Sequence, residues 1–383
     1  MVQQQEGRER LRDKLPTLVQ QPDWWFPPRL ACEQCSSERT ATYKAELIRP
    51  HYTPSLSPSF SREWQAGSFI DLTGGYGIDS FYLSAMATEA HYVEQDPELC
   101  RIAEHNFSRT RPHLQVHNTT AEEFLRTLPD IPNTEQSEVT CIYLDPARRD
   151  NHGGKVFRIE DCAPNIIDLL PLLQQKSTIL MIKLSPMLDI TAALRSLGEG
   201  WQVHVVAVRN EVKELLFIKS WRGSDGLGGS YLTAANYTQD HWQTLSFTLE
   251  EEQNAQVNYW HSTDAPRYLY EPNAAILKAA AFRFVSEHFR LAKLAPSTHL
   301  YAADHLLTDF PGRVWEVVSP LTSSMLKHLP DTIRERGASI LTRNYPLSAD
   351  QLRKKLKLKD STEQTIIAAR IADKPMLFWA KKV

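Results

Sequence analysis

The densest grouping of chemistry-bearing residues is Asp71-Leu72-Thr73-Gly74-Gly75-Tyr76-Gly77-Ile78-Asp79-Ser80. Glycines at 75 and 77 let a backbone turn sharply and approach a ligand where a side chain would clash, and a helix opening behind them presents free N–H groups. Such a loop suits a nucleotide-like ligand. Glu94, in Tyr92-Val93-Glu94-Gln95-Asp96, stands where a carboxylate accepts hydrogen bonds from ribose hydroxyls. Two cofactors compete for this pair of segments. A dinucleotide fingerprint asks for a third glycine where this chain has Ser80, and Asp71 and Asp79 repel its pyrophosphate. S-adenosylmethionine has no phosphate, and its sulfonium and ammonium groups are favoured by nearby carboxylates. On that reading Asp71, Thr73, Gly74, Gly75, Gly77, Asp79, Glu94 and Gln95 are cofactor-binding candidates; the bland alternative is a tight turn beside a surface acid.

A second constellation is Tyr143-Leu144-Asp145-Pro146-Ala147-Arg148-Arg149-Asp150. Asp145 and Pro146 are the catalytic candidates, because a carboxylate closing an apolar strand can orient a nucleophile or take its proton, and Asp145 also borders the cofactor. Methyl transfer is an in-line displacement at an activated carbon, so positioning supplies most of the catalysis and a dedicated base is optional. Arg148 and Arg149 suit a bidentate clamp on phosphate or carboxylate, or surface ion pairs with Asp150 or Glu160. Lys183 and Ser185, in Lys183-Leu184-Ser185-Pro186, close another apolar strand and are candidate substrate contacts, with a capping role for Ser185 as the alternative. Asn210 to Glu214 occupy a turn that approaches the same edge or stays solvated. Cys32 and Cys35 have metal-ligand spacing, but no second pair completes four ligands, so no metal is expected. The polar stretches Glu33–Ser37 and Thr40–Lys44 can cover a cofactor or substrate, while Trp24-Trp25-Phe26 reads as a packing anchor.

The elements that must position these residues follow from the hydrophobic pattern. Residues 1–66 read as a helical extension with a Pro- and Trp-rich run. From Ser68, apolar runs alternate with amphipathic stretches, as in a parallel sheet with crossover helices. The runs are Phe69–Leu72, His91–Glu94, Leu114–His117, Val139–Asp145 and Thr178–Leu184, with helices at Ile78–Thr88, Pro97–Thr110, Thr120–Thr127, Cys162–Leu173 and Met187–Leu197. Val203–Val208 and Glu214–Ser220 are joined too tightly for a crossover helix and must pair antiparallel. Residues 67–222 thus form one α/β domain. Residues 223–319 hold strand runs at Tyr231–Tyr237 and Thr244–Leu249, a long helix at Ala274–Leu294, and strands at His299–Ala303 and Val314–Val318. Residues 320–383 add strands Ser339–Thr342, Thr365–Ile371 and Met376–Ala380 and a helix opened by the capping pair Ser348 and Gln351.

Bulk properties bound the class. A chain of 383 residues with 42% hydrophobic and 23% charged residues has room for two or three globular cores. Its N-terminus is charged from the outset, no window of 18 uncharged apolar residues exists, and five scattered cysteines argue for reduced thiols, so a cytoplasmic protein without membrane attachment is expected. Residues 320–383 carry 13 Lys and Arg against 6 Asp and Glu, a balance of +7, which leaves −10 for the remainder of a chain of net charge −3. A basic module on an acidic body points to an anionic partner, with a solvated helical face as the alternative.

In combination these segments resemble a family of bacterial class I methyltransferases that carry a ferredoxin-like domain and a C-terminal THUMP-like domain. The residues concerned are Gln34 with Ser36 and Ser37, the run Asp71 to Ser80, Asp145 to Arg149, Lys183 to Pro186, and Arg343-Asn344-Tyr345-Pro346. The resemblance implies a Rossmann-like seven-stranded α/β sheet over 67–222, a ferredoxin-like part within 223–319 and a THUMP-like domain at 320–383. S-adenosylmethionine is the implied cofactor, and since THUMP domains bind RNA in tRNA-modifying enzymes, tRNA or rRNA is the implied substrate, with Arg343, Lys354 and Lys355 as phosphate contacts. Methyltransferases commonly place an acid against adenine after the third strand; here Thr119-Thr120-Ala121 stands there, making Thr120 and Ala121 the candidates. Amino-group methyltransferases follow the Asp-Pro pair with a second proline and an aromatic, where this chain has Ala147 and Arg148. The rival readings are a protein or small-molecule methyltransferase with Arg148 and Arg149 on a substrate carboxylate, and a non-catalytic RNA-binding scaffold that retains the cofactor.

Overall fold

A computed structural model describes residues 2–52, 67–131, 138–148, 158–221, 230–261, 265–327 and 329–383. Arg149, Pro54, Pro58 and the glycine-rich run ahead of Ser230 lie outside the described residues. The chain divides into two compact units, 1–203 with 214–230 and 204–213 with 231–383.

The first unit opens with helices α1 (Val2–Arg10), α2 (Arg29–Gln34) and α3 (Glu38–Tyr52), and continues as alternating strands and helices. The strands are β1 (Gly67–Asp71), β2 (Glu89–Glu94), β3 (Leu114–Asn118), β4 (Val139–Leu144), the two-residue bridge β5 (Ala147–Arg148) with β6 (Cys162–Ala163), and β7 (Ile179–Leu184). They are followed by β8 (Gln202–Val208) and β9 (Glu211–Ser220), whose residues 204–208 and 211–213 are assigned to the second unit. Between them lie α4 (Ile78–Leu83), α5 (Pro97–Thr110), α6 (Ala121–Thr127), α7 (Ile166–Lys176) and α8 (Ile190–Leu197). The sheet has nine strands, of which β8-β9-β7-β4-β1-β2-β3 are seven consecutive ones. Strands β7, β4, β1, β2 and β3 are parallel, and β9 runs antiparallel to β7. This is the mixed α/β sheet expected, and the boundary between units passes through the β8–β9 hairpin.

The N-terminal helices share one apolar cluster with this sheet. Leu11, Leu15, Trp24, Phe26, Ala41 and Ile48 pack with Phe69, Tyr92, Phe107 and Cys141, and Trp24 is 4% exposed with its indole N–H donating to the Tyr76 hydroxyl at 2.7 Å. The extension is thus part of the core, and α3 packs against α4 and β4.

Three helices are shorter than the periodicity predicts. The stretch 78–88 leaves α-helix at Leu83 and continues as one 3₁₀ turn, Ser84–Met86. Asn165 and Asp189 accept the first backbone N–H groups of α7 and α8, so these helices start at Ile166 and Ile190 rather than at Cys162 and Met187. An apolar period does not by itself say which polar neighbour will cap.

In the second unit, β10 (Tyr231–Thr238) and β11 (His241–Thr248) form an antiparallel hairpin. A seven-stranded sheet follows, made of β12 (Tyr268–Pro272), β13 (Ala292–Ala295), β14 (Thr298–Ala303), β15 (Gly312–Pro320), β16 (Ser339–Arg343), β17 (Thr365–Ile371) and β18 (Lys374–Lys382), in the order β13-β14-β12-β15-β18-β17-β16. The long helix expected at 274–294 is instead two helices, Ala274–Ala279 and Phe282–His288, followed by β13. Ala280 adopts the left-handed conformation at φ 60°, which ends the first helix, and pairing of Ala292 and Lys293 with β14 overrides the helical tendency beyond it. Along β17, Ile366 and Ala368 face one apolar cluster and Ile367 and Ala369 the other, the period-two pattern of a sheet covered on both faces. The helix Ala349–Leu356 opens on the expected capping box of Ser348 and Gln351.

Candidate functional site

The carboxyl ends of β1, β2, β4 and β7 converge on one edge of the first unit, where open parallel sheets bind ligands. Asp71 closes β1, is 1% exposed, and is used inside the loop it precedes. One carboxylate oxygen accepts the Thr73 N–H at 3.0 Å and the other accepts the Ser80 hydroxyl. Burial pushes its pKa up to about 7 despite those hydrogen bonds. The Gly74 N–H donates to the Val93 carbonyl at 2.8 Å and the Tyr92 hydroxyl to the Gly75 carbonyl at 2.6 Å, tying the loop to β2. Gly77 sits at φ +82°, and a Cβ there would lie 2.6 Å from the Phe107 ring. At Gly75, φ +54°, a Cβ would meet only the Thr73 carbonyl oxygen at 3.9 Å, so the loop has open space over its backbone.

Glu94, half-buried at the end of β2, accepts the Gly75 N–H and the Asp96 N–H, both at 2.8 Å, one on each oxygen. Each carboxylate oxygen has a second acceptor direction, so the group keeps capacity for a pair of vicinal hydroxyls. The Asn118 side chain donates to the carbonyls of Glu94 and Gln95, each at 3.0 Å, and sets their path. Thr120 accepts the Glu123 N–H at 3.2 Å as the cap of α6, and Ala121 is buried behind it. Ser185 accepts the Met187 N–H at 3.2 Å in an exposed turn, and the side chain of Arg148 is outside the described part of its strand.

Asp145 and Lys183 form an ion pair at the ends of β4 and β7, and the Asp145 N–H donates to the Thr73 hydroxyl at 2.6 Å. Behind this pair lies a cluster that reading the chain residue by residue does not reveal. Lys44 of α3, fully buried, donates to Glu214 at 2.6 Å and to the Ser36 hydroxyl at 3.2 Å, and its ammonium is ion-paired with Asp79 at 3.1 Å. Ser36 and Tyr143 each donate to Asp79 at 2.7 Å. Lys183 reaches Asp145, then Ser36 at 3.3 Å, while Asp79 is 3.8 Å away, beyond hydrogen-bond length. Two lysines therefore meet three carboxylates. Asp79, placed above among cofactor contacts, is enclosed by this network.

The electrostatics follow from burial and pairing. Burial works to raise the pKa of Asp79, but the Lys44 and Lys183 ammoniums and the Tyr143 and Ser36 hydroxyls hold it below the usual carboxylate range. Burial raises Glu214, and the two lysines only partly offset that. Burial opposes the charge on Lys183, yet Asp145, Asp79 and Glu214 raise its pKa above that of ordinary lysine, so it stays protonated. Removing one member of such a set leaves a partner charge buried, a loss of about 3–5 kcal/mol.

Ser36, Lys44 and Glu214, which the sequence offers only as parts of stretches covering or approaching this edge, are joined with Tyr143 in one buried cluster by the tertiary structure. Their signals in the sequence were weak but present: Lys44 falls on the apolar stripe of Ala41, Ala45 and Ile48, and Glu214 begins the buried run Leu215–Ile218. In the second unit, Arg343 pairs with Glu271, which is 2% exposed and also holds Arg313. Lys354 and Lys355 stand exposed on the helix Ala349–Leu356. Among the described residues, no group of three or more His, Cys, Asp or Glu is arranged to hold a metal ion. None of the described helices is long and apolar enough to cross a membrane. A cavity of about 420 Å³ beside Ile131, Pro171, Thr178 and Trp221 lies at the amino end of β7, away from this chemistry.

A Gly-rich turn after β1, an acid ending β2 and an Asp-Pro pair ending β4 on this strand order define a class I methyltransferase. A crystal structure of a Porphyromonas gingivalis W83 protein described as a methyltransferase is 33% identical, covers 100% of this chain and 89% of its own, and superposes with a TM-score of 0.83. An uncharacterised S-adenosylmethionine-dependent methyltransferase of Mycobacterium tuberculosis strain H37Rv is 24% identical over 303 residues, 79% of this chain and 76% of its own length. Residues 268–311 match the model of a ferredoxin-like domain and 312–382 that of a THUMP domain-like family. The chain belongs to the family of S-adenosylmethionine-dependent methyltransferases that carry these two C-terminal domains.

Proposed function

We propose that this enzyme transfers the methyl group of S-adenosylmethionine to structured RNA, and that its THUMP-like module supplies phosphate contacts through Lys354 and Lys355. The cofactor, when bound, supplies a methyl carbon already activated by a sulfonium. Three features of the site suit it: open space over Gly75, acceptor capacity on Glu94, and a lysine–carboxylate cluster with one more acid than base. Thr73, Gly74, Gly75 and Gly77 form the cradle, Glu94 takes the ribose hydroxyls, and Thr120 and Ala121 border the adenine. Asp71 acts indirectly, by holding the loop through Thr73 and Ser80. Asp145 and Pro146 present the acceptor side, with Lys183 beside them.

The observation that carries the RNA reading is the exposed lysine pair on a THUMP-like module whose Arg343 is already engaged by Glu271. Calorimetry with S-adenosylmethionine and with NAD tests the cofactor, and heat with NAD alone sinks it. Filter binding of total RNA between 50 mM and 200 mM salt tests the partner. Affinity is expected to fall at least tenfold over that range; binding that ignores salt counts against RNA.

A further inference from the structure

We infer that the methyl acceptor at this strand edge is a hydroxyl oxygen, the 2′-OH of an RNA ribose, with Lys183 and Asp145 as catalytic residues and Lys44 and Glu214 as positioning residues behind them. This rests on the RNA methyltransferase reading above and specifies its acceptor atom.

The argument starts from donors and acceptors. The edge offers a carboxylate, Asp145, whose side chain is 38% exposed, and next to it an ammonium that is 12% exposed. Lys183 uses Asp145 and Ser36, while Asp79 is 3.8 Å away. A base amino group suits the carboxylate alone: it has N–H donors, its lone pair is delocalised into the ring, and it has nothing to offer a cationic donor. A ring nitrogen has one lone pair, for which an ammonium competes with the methyl carbon, and positive charge grows on it during attack. A hydroxyl matches both groups. It donates its O–H to Asp145, attacks with one lone pair, and accepts from Lys183 on the other. As the proton leaves, negative charge develops on oxygen, where a preorganised ammonium in a water-poor site is most effective.

The step balances without a further reactant. The 2′-oxygen bonds to the sulfonium methyl carbon as the carbon–sulfur bond breaks, and that electron pair stays on sulfur as a thioether. The hydroxyl proton passes to Asp145 and then to water.

Lys44 explains why Lys183 keeps this orientation. Both ammoniums donate to the same Ser36 oxygen, at 3.2 and 3.3 Å, and Lys44 draws Asp79 and Glu214 to itself at 3.1 and 2.6 Å. With Asp79 held by Lys44, Tyr143 and Ser36, Lys183 is turned toward Asp145. A purely structural ion pair needs neither the second lysine nor a partly exposed carboxylate at the strand end.

The test uses the full-length protein, S-adenosylmethionine labelled in the methyl group, and total RNA from cells that lack this chain. Label is expected in dinucleotides that resist alkali, because a methylated 2′-oxygen cannot attack the adjacent phosphate, and mass spectrometry should find the added mass on the ribose fragment. Label on bases in alkali-sensitive positions overturns the hydroxyl acceptor and leaves the RNA reading standing. No label in any RNA fraction, with the cofactor still bound, overturns both. A binding measurement then addresses the residues, using an oligonucleotide centred on the mapped nucleotide and S-adenosylhomocysteine. The 2′-hydroxyl form should bind about fivefold more tightly than the 2′-deoxy form, the value of about one hydrogen bond. Lys183→Ala and Asp145→Ala should each erase that preference; a preference that survives both removes them from the catalytic pair. Glu214→Gln, which keeps the side-chain shape, should lower kcat about tenfold at unchanged KM. Equal losses in KM, kcat and thermal stability would reduce Glu214 to a structural role.

Discussion

Lys44 and Lys183 in the first unit are 0% and 12% exposed and meet Asp79, Asp145 and Glu214, whereas Lys354 and Lys355 in the second stand on an exposed helix face. A buried ammonium has lost its hydration and needs carboxylates at fixed distances, so its position is specified by the fold. An exposed ammonium keeps its hydration, samples many rotamers and acts over a Debye length of about 8 Å, so its effect is adjustable by salt. One pair supplies geometry, the other attraction. The same contrast holds for arginine within the second unit, where Arg343 is committed to buried Glu271.

The largest effect that would break this comparison is expected at the most buried site. Lys44→Met leaves Asp79 and Glu214 without their shared cation and should lower unfolding free energy by about 3–5 kcal/mol, read from urea melts. A loss below about 1 kcal/mol would mean that the ion pair is no better than a surface one. Next, Lys183→Ala should reduce kcat about 100-fold while the dissociation constant for S-adenosylmethionine stays within about threefold. A parallel collapse of cofactor affinity would move Lys183 from the acceptor side to the cofactor side.

On the exposed side, the double change Lys354→Ala and Lys355→Ala should weaken RNA binding about tenfold at 100 mM salt and flatten the log–log salt slope by about 1.5, with the melting temperature unchanged. An unchanged slope would show that these lysines touch no phosphate. The smallest effect concerns pH. Asp71 ionises at 3.8 by default and at about 7 in the fold, so the stability it contributes is full below about pH 4 and is lost as pH rises through 7. Asp71→Asn preserves acceptance from Thr73, and should remove that part of the pH dependence while shifting activity little. A pH profile of urea midpoints identical to that of the parent chain would show that Asp71 is ionised throughout.

Much of the first unit was legible because its information is local. The Gly-rich turn, the acid after β2 and the Asp-Pro pair each follow an apolar strand of the expected length, and period-two and period-3.6 patterns fix strand and helix types. Helix ends were less legible: Asn165 and Asp189 became caps and Ala280 a left-handed turn because of hydrogen bonds and packing that an amphipathic period does not encode. The polar stretch through Ser36 and Lys44 was readable as a cover for the site, though not as a supplier of its innermost cation.

The sequence by itself determined an adenosine-type loop, the parallel sheet that carries it and the basic balance of residues 320–383, since these depend on residue type and short-range spacing. Only the tertiary structure decided that Lys44 and Glu214, 170 positions apart, close on Asp79 and Lys183, and that Arg343 is engaged while Lys354 and Lys355 are exposed. The physical reason is that a charge's role is set by its desolvation and its partners, and both are properties of the folded chain.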